Sequence, residues 1–497
     1  MASQSRSRAM RDRGGRGPAG RSDAPARPAR PTLPVTWQQH DLLLDCLDHR
    51  GTGRHVEQLS WRWRGPLDTE RFTAAWQSVV DRETVLRAAF DWEPEPRVVL
   101  HDRADADVVR HPAGSVDWDE LLETDRRRGF DLRRPGPLRV TLVDDPAAPA
   151  VPAGRARPQD GPEGTVATRI LLTFHHGLLD AWSVFVLLDE FYRAYLAGGR
   201  LSGGERRPDI RDWASWLTRQ DTAPAREFWT RAVPEGAPAV LPALPGPETL
   251  ESGPGRAEAE LSAADAGRLH HWAAGQAVPD STALQAVWAL LLYRATGARG
   301  AAPVGFGVTV SGRGIALDAV ERLPGPMRNC LPMTVEVDPG HRLTRLLTAL
   351  RDMALDMAPY EWVSCGQIHE WTGRAMEGRL LESLVAVESG PRPPADLKAE
   401  LAARGIRVEP LRASGAHTVY PVALLAHSAE DGALTLTAVH DRARISAADA
   451  GRLVGHCAAL LRELPETDEA TTVGQVLALL EGDEPPRIAD GRRPGTA

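Results

Sequence analysis

Apolar positions recur every three to four residues over 37–47 and again over 69–90, where Phe72, Trp76, Val79, Val80, Leu86 and Phe90 share one helical face. Between these two predicted helices, residues 57–63 alternate apolar and polar, the period of a half-buried strand. Further strands are predicted at 97–101, 138–143 and 168–173; the Pro-, Ala- and Gly-rich stretch 144–164 reads as a surface loop. A helix is expected over 182–197, stopped by Gly198 and Gly199, and an aromatic helix over 210–229. After a Pro-rich crossing at 233–255 the same grammar resumes. Strands are predicted at 256–261, 303–310, 384–388, 419–427 and 434–440, and helices at 263–274, 282–296, 344–357 and 447–464. Helices alternate with strands in both halves, so the expected class is α/β or α+β with mixed sheets.

With 497 residues, 42% of them hydrophobic, two lobes of comparable size are the natural division: 33–232 and 256–481, separated by the crossing at 233–255. Residues 1–32, with eight arginines among the first thirty and no apolar core, read as a disordered tail rather than a secretory signal, and 482–497 as a second disordered tail. The net charge of -8 is spread along the chain and gives no nucleic-acid surface. Apolar runs such as 286–293 fall short of the roughly 20 residues a membrane span needs. Cys46, Cys330, Cys365 and Cys457 are scattered without Cys-x-x-Cys spacing, so neither a metal knuckle nor a redox pair is expected, and free thiols fit the cytoplasm. Gly305-Phe306-Gly307 lacks the spacing of a dinucleotide fingerprint and is assigned no cofactor.

The chemistry-bearing stretch is Phe174-His175-His176-Gly177-Leu178-Leu179-Asp180-Ala181-Trp182-Ser183. It follows a predicted strand and precedes a predicted helix, so a titratable imidazole stands at a strand end, a place suited to acid/base work.

Other segments join it in order. They are Arg82-Glu83-Thr84-Val85-Leu86-Arg87, Phe130-Asp131-Leu132, Gly136-Pro137-Leu138-Arg139, Asp212-Trp213 with Phe228-Trp229, Ser311-Gly312-Arg313, Gly325 to Asn329-Cys330-Leu331-Pro332, and Tyr420-Pro421-Val422. Together they resemble the condensation domains of nonribosomal peptide synthetases, within the chloramphenicol-acetyltransferase-like acyltransferase superfamily, over about residues 33 to 465. The resemblance departs at Ala181, where the family's His-His-x-x-x-Asp-Gly motif has glycine, and at Glu83, where histidine is usual. Glu83 and Arg87 are read as structural.

What the resemblance implies is a V-shaped pair of similar lobes with the histidines at their interface in a tunnel. The implied donor is an acyl or aminoacyl thioester on the phosphopantetheine arm of a separate carrier protein. The implied acceptor is an amine or hydroxyl, free or carrier-bound, in the making of a natural product such as an antibiotic. A thioester is already activated, so a positioned base and an oxyanion site suffice and no metal or organic cofactor is expected. By the same carry-over His176 is the base, His175 is structural, and Asp180 makes a buried ion pair with Arg313. Gly177, Ala181, Trp182, Ser183 and Asn329 are candidates for the tunnel or the oxyanion site. For Ser183 the competing role is helix capping, for Trp182 core packing, and for Asn329 tying backbone.

With no room for adenylation or carrier domains, the expected protein is a free-standing condensation enzyme forming an amide or ester. Two alternatives stay open: an acyl-CoA-dependent O-acyltransferase of the same superfamily, and a non-catalytic docking platform with the condensation fold.

Overall fold

Thr36 starts the first helix, α1 (Trp37–Asp48), through a capping box. Its hydroxyl accepts the Gln39 N–H at 3.2 Å while Gln39 Oε1 accepts the Thr36 N–H at 3.1 Å, so two orphan donors of the first turn are satisfied reciprocally. The computed structural model describes residues 31–49, 51–145, 167–203, 207–233, 241–373, 380–388, 395–414, 420–429 and 431–489. Residues 1–30 and 490–497 of the two expected tails, nearly all of the loop expected at 144–164, part of the crossing at 233–255, and residue 419 of an expected strand lie outside them.

The chain divides into two units. The first is built from 1–219, 317–326 and 391–414, the second from 220–316, 327–390 and 415–497. A single boundary at 233–255 is what the sequence predicts. Instead, the helix at Thr222–Ala232 goes with the second unit, because its Ala225 and Trp229 are buried in that unit's core. Two later segments return to the first unit, one of them because it supplies sheet edge: Arg407–Val408 and Arg412–Ser414 pair with β1 (Val56–Arg64).

In the first unit β1 is followed by α2 (Thr69–Arg82), α3 (Trp118–Arg128), β2 (Leu138–Asp144), β3 (Ala167–His175) and α4 (Ala181–Leu196). The sheet runs Arg407–Val408, β1, β3, β2, Asp107–His111, with β3 antiparallel to both neighbours. A second sheet of three short strands comprises Thr32–Pro34, Arg97–Leu100 and Ala88–Asp91. The apolar faces of α2 and α4 meet in an aromatic cluster in which Trp76 stacks on Phe191 at 4.7 Å and Phe72 meets Phe191 edge-on at 4.7 Å.

The single helix expected over 69–90 is in fact helix, 3-10 turn and strand. It breaks at Glu83, whose backbone is extended, and the Arg87 guanidinium donates to the freed Val80 carbonyl at 2.6 Å. The expected helix over 210–229 is likewise two, Ile210–Thr218 and Thr222–Ala232, because Asp221 caps a fresh start by accepting the Ala223 N–H at 2.9 Å.

The second unit holds one six-stranded mixed sheet in the order Asn329–Val337, Ala302–Val310, Ser383–Glu388, Val422–Ser428, Leu434–Asp441, Pro254–Leu261. The apolar all-round helix at Asp280–Thr296 is buried in its core with Leu343–Met357 and Ala447–Glu463. Among the described residues no helix is long and apolar enough to cross a membrane.

Candidate active site

One rung of the first unit's sheet anchors the histidine strand. Gln58, Thr173 and Arg139 face one another across β1, β3 and β2, and all three reach Asp125 of α3. Arg139 Nε donates to Asp125 Oδ1 at 2.6 Å, Thr173 Oγ1 to Oδ2 at 2.6 Å and Gln58 Nε2 to Oδ2 at 3.1 Å. Arg139 also lies over the Phe130 ring at 4.4 Å, and Phe130 meets the His175 ring edge-on at 6.2 Å. A carboxylate this buried is tolerated because its lone pairs are filled by a paired cation and two neutral donors.

Two residues beyond Thr173, on the same face, His175 ends the strand and is buried. Its Nδ1 accepts the Gly177 N–H at 3.0 Å, which turns the chain sharply, and its Nε2 stands 3.5 Å from Cys46 Sγ on α1. Burial holds this imidazole down at about 3, with His55 and His176 pushing the same way. Burial likewise pushes the Cys46 thiol up to about 12. His175 is therefore a neutral, structural member of the pair.

His176 is only half-buried. Its backbone N–H donates to the His55 carbonyl at 2.9 Å, and its Nδ1 meets the Leu179 carbonyl at 3.0 Å. A carbonyl accepts only, so Nδ1 carries the hydrogen and Nε2 the lone pair; among the described residues Nε2 has no partner. His55, at φ 59°, is itself fixed by Asp45 Oδ2 at 2.7 Å. Despite the cost of its burial, the hydrogen bond from His55 and the Arg54 charge hold Asp45 below the usual carboxylate range.

Asp180 is fully buried and caps α4. Its Oδ1 accepts the Ser183 N–H at 2.8 Å and the Ser183 hydroxyl at 2.6 Å, and Ser183 Oγ accepts the Gly325 N–H at 2.8 Å. Ser183, a candidate for the oxyanion site or for helix capping, is thus buried with its hydroxyl hydrogen-bonded, and the side chain that caps α4 is Asp180. Trp182 is half-buried and donates from Nε1 to the Glu321 carbonyl at 2.8 Å, so two consecutive α4 residues hold the returning segment 317–326. Ala181 occupies the first helical position with its side chain half-exposed. Gly177 is buried, and a Cβ there would stand 3.0 Å from His175 Nδ1 and 3.3 Å from Leu42 Cδ2.

Asn329 and Arg313 belong to the second unit. The Asn329 amide donates to the Glu361 and Val363 carbonyls at 2.8 and 2.6 Å, and its Oδ1 accepts the Cys330 N–H at 2.9 Å. It ties backbone, the competing role. Arg313 is buried, with NH1 donating to the Ser311 carbonyl at 3.1 Å. Glu83, also buried, sits 3.5 Å from Arg207, which pairs with Glu190; burial raises the Glu83 carboxyl against the opposing charges of Arg207 and Arg82. Among the described residues no group of three or more His, Cys, Asp or Glu is arranged to hold a metal.

Sequence reasoning finds the histidines and Asp180 but misses Gln39, Cys46 and Asp125. The Thr36-x-x-Gln39 spacing is a capping-box signal available from sequence. Nothing local marks Cys46 or Asp125.

A mixed sheet whose central strand ends in His-His, turning into a helix capped by the motif aspartate, defines the class: a chloramphenicol-acetyltransferase-like α/β fold. The condensation-domain family model matches residues 165–476. A linear gramicidin synthase polypeptide of Brevibacillus parabrevis is 30% identical over 376 residues, 72% of this chain and 5% of that synthase. Chondramide synthase cmdD of Chondromyces crocatus is 30% identical over 349 residues, 69% of this chain and 8% of that synthase. The chain belongs to the condensation-domain family. It spans only a small part of the length of these relatives. Among solved structures, the condensation domain of the monacolin K polyketide synthase MokA superposes with a TM-score of 0.70 at 15% identity, covering 89% of this chain and 99% of that one. The first condensation domain of the calcium-dependent antibiotic synthetase, in complex with a substrate analogue, gives 0.67 at 20% identity, covering 90% and 99%. At those identities the likeness speaks for the fold.

Proposed function

We propose that this protein is a cytoplasmic condensation enzyme that joins a carrier-bound acyl or aminoacyl thioester to an amine or hydroxyl acceptor, with His176 as the base. The observation that carries this reading is the Nδ1 contact of His176 with the Leu179 carbonyl, which leaves Nε2 as a lone-pair acceptor on a half-buried ring. In the neutral form Nε2 takes the proton of the acceptor as its nitrogen or oxygen bonds to the thioester carbonyl carbon. The resulting oxyanion is stabilised by backbone N–H groups at the start of α4, Ala181 first. Collapse breaks the carbon–sulfur bond, and the pantetheine thiolate leaves with the proton returned from the imidazolium. The products are an amide or ester and a free carrier thiol, with no metal or organic cofactor taking part.

The condensation family also implies the pairing of Asp180 with Arg313 as the feature that holds the turn. A double-mutant cycle on Asp180→Asn and Arg313→Met tests it. A coupling of about 1 kcal/mol or more supports the pair, and additivity argues for Asp180 as a cap alone.

The function is tested by intact-protein mass spectrometry of acyl-loaded carrier proteins incubated with panels of amines and alcohols, using the full chain and its His176→Ala variant. Acceptor-dependent unloading that disappears in the variant supports condensation. Consumption of acyl-CoA with the carriers left loaded makes the protein an O-acyltransferase. Inertness toward both donors, across the acceptors offered, makes the docking platform the reading to pursue.

A further inference from the structure

One face of α1 grips the histidine turn at two points. Gln39 is buried, and with Oε1 on its own helix's cap its Nε2 donates to the Gly177 carbonyl at 2.9 Å. Cys46, seven residues on and so two turns along the same face, places Sγ 3.5 Å from His175 Nε2. Leu42 between them supplies the wall against which a Cβ at Gly177 would press. The Gly177 N–H donates to His175 Nδ1, so that nitrogen carries no hydrogen in the neutral ring. The hydrogen is then on Nε2, and Cys46 Sγ is its acceptor. Gly177 is consequently held by both its amide and its carbonyl, while His176 before it is held at its N–H by His55 and at its ring by Leu179.

We propose that Cys46 and Gln39 are positioning residues which, together with the Gly177 amide, hold His175 in its Nε2–H tautomer and thereby orient the following imidazole, His176; this rests on the reading of His176 as the base. Cys46 acts as a hydrogen-bond acceptor, not as a nucleophile or a redox thiol. The opposite tautomer would leave Nδ1–H facing the Gly177 N–H, two donors head to head, and the turn would have to open.

The test uses the full chain as wild type and as Cys46→Val, which keeps a similar volume without an acceptor, Cys46→Ser, which restores one, and Gln39→Leu. Long-range proton–nitrogen correlation spectra of protein carrying 15N-labelled histidine read the His175 tautomer without substrate. Steady-state condensation on a loaded carrier reads kcat and KM. The expected result is a single Nε2–H signature in wild type and Cys46→Ser, and a mixed signature in Cys46→Val. With it, kcat in Cys46→Val and Gln39→Leu falls about tenfold at unchanged KM, and in Cys46→Ser stays within about twofold of wild type. The proposal is overturned if Cys46→Val keeps the single Nε2–H signature, or if the Ser and Val variants lose kcat equally. Because the tautomer is read in the absence of substrate, failure of the condensation reading leaves that arm decisive on its own.

Discussion

The Ser183 hydroxyl accepts the Gly325 N–H at 2.8 Å and has two acceptors within reach of its own hydrogen, Asp180 Oδ1 at 2.6 Å and the Gly325 carbonyl at 2.9 Å. A segment from the later half of the chain is thereby fastened to the helix that follows the histidine turn. The fastening is buried, so its loss cannot be made good by water. Ser183→Ala is expected to lower stability by about 1–3 kcal/mol, since the Gly325 donor is left unsatisfied. The midpoint of urea unfolding measures this, and an unchanged midpoint would mean that the segment is held elsewhere.

The two histidines are expected to fail differently. His176→Ala removes a half-exposed base, so condensation should fall by a factor on the order of 100 to 10,000 with little change in melting temperature. His175→Ala empties a buried site and strands the Gly177 N–H, so melting temperature and activity should fall together. Paired melting curves and single-turnover unloading rates separate the two patterns.

Acid should destabilise the fold through His175. Its folded pKa is depressed by burial to about 3, against an unfolded value near 6.5, so between these pH values the unfolded chain binds a proton that the folded chain does not. Stability then rises with pH across that window, by up to about 1.4 kcal/mol per unit from this group. His440 and His456, also lowered by burial, add slope of the same sign. Asp45 and the other lowered carboxylates take over below about pH 4. Unfolding free energies at pH 4.5 to 6.5 for wild type and His175→Asn should therefore differ in slope by close to one proton; parallel slopes would refute the assignment.

Breaking the Asp125–Arg139 pair from one side should cost about 3–5 kcal/mol, because the partner charge stays buried among groups arranged for its counterion. Arg139→Met is the variant of choice, and Asp125→Asn paired with it should recover part of the loss. Denaturant titration of the two single variants and the double variant measures both quantities.

The histidine turn is legible in the sequence because strand, turn and helix are contiguous and each carries its own signal. Alternation over 168–173, His-His at the strand end and a capping aspartate all fall within a few residues. Most strands and helices of the second unit can be placed to within one to three residues for the same reason. Periodicity fails where an apolar pattern runs across a break. The spacing of Phe72 through Phe90 continues past Glu83 although the backbone does not, because Leu86 and Phe90 are buried from a turn and a strand. The braces of the site are illegible for a different reason. Cys46 meets His175 across 129 residues and Gln39 meets Gly177 across 138, and nothing in the charge-rich sequence of α3 marks Asp125 as a residue that faces inward. Residues acting through long-range contacts leave no periodic mark.

Because the first unit draws on residues 391–414, the ribosome sets a constraint of its own. When residue 219 emerges, β1 still lacks the strands at Arg407–Val408 and Arg412–Ser414. At roughly 5–20 residues per second those strands follow some ten to forty seconds later. Throughout that interval the growing polypeptide carries an open β edge beside buried-type aromatic side chains, the kind of surface that captures other nascent chains. Yield in a heterologous host should therefore depend on elongation speed and on chaperones that shield nascent chains, and a cut after residue 219 would make that exposed edge permanent.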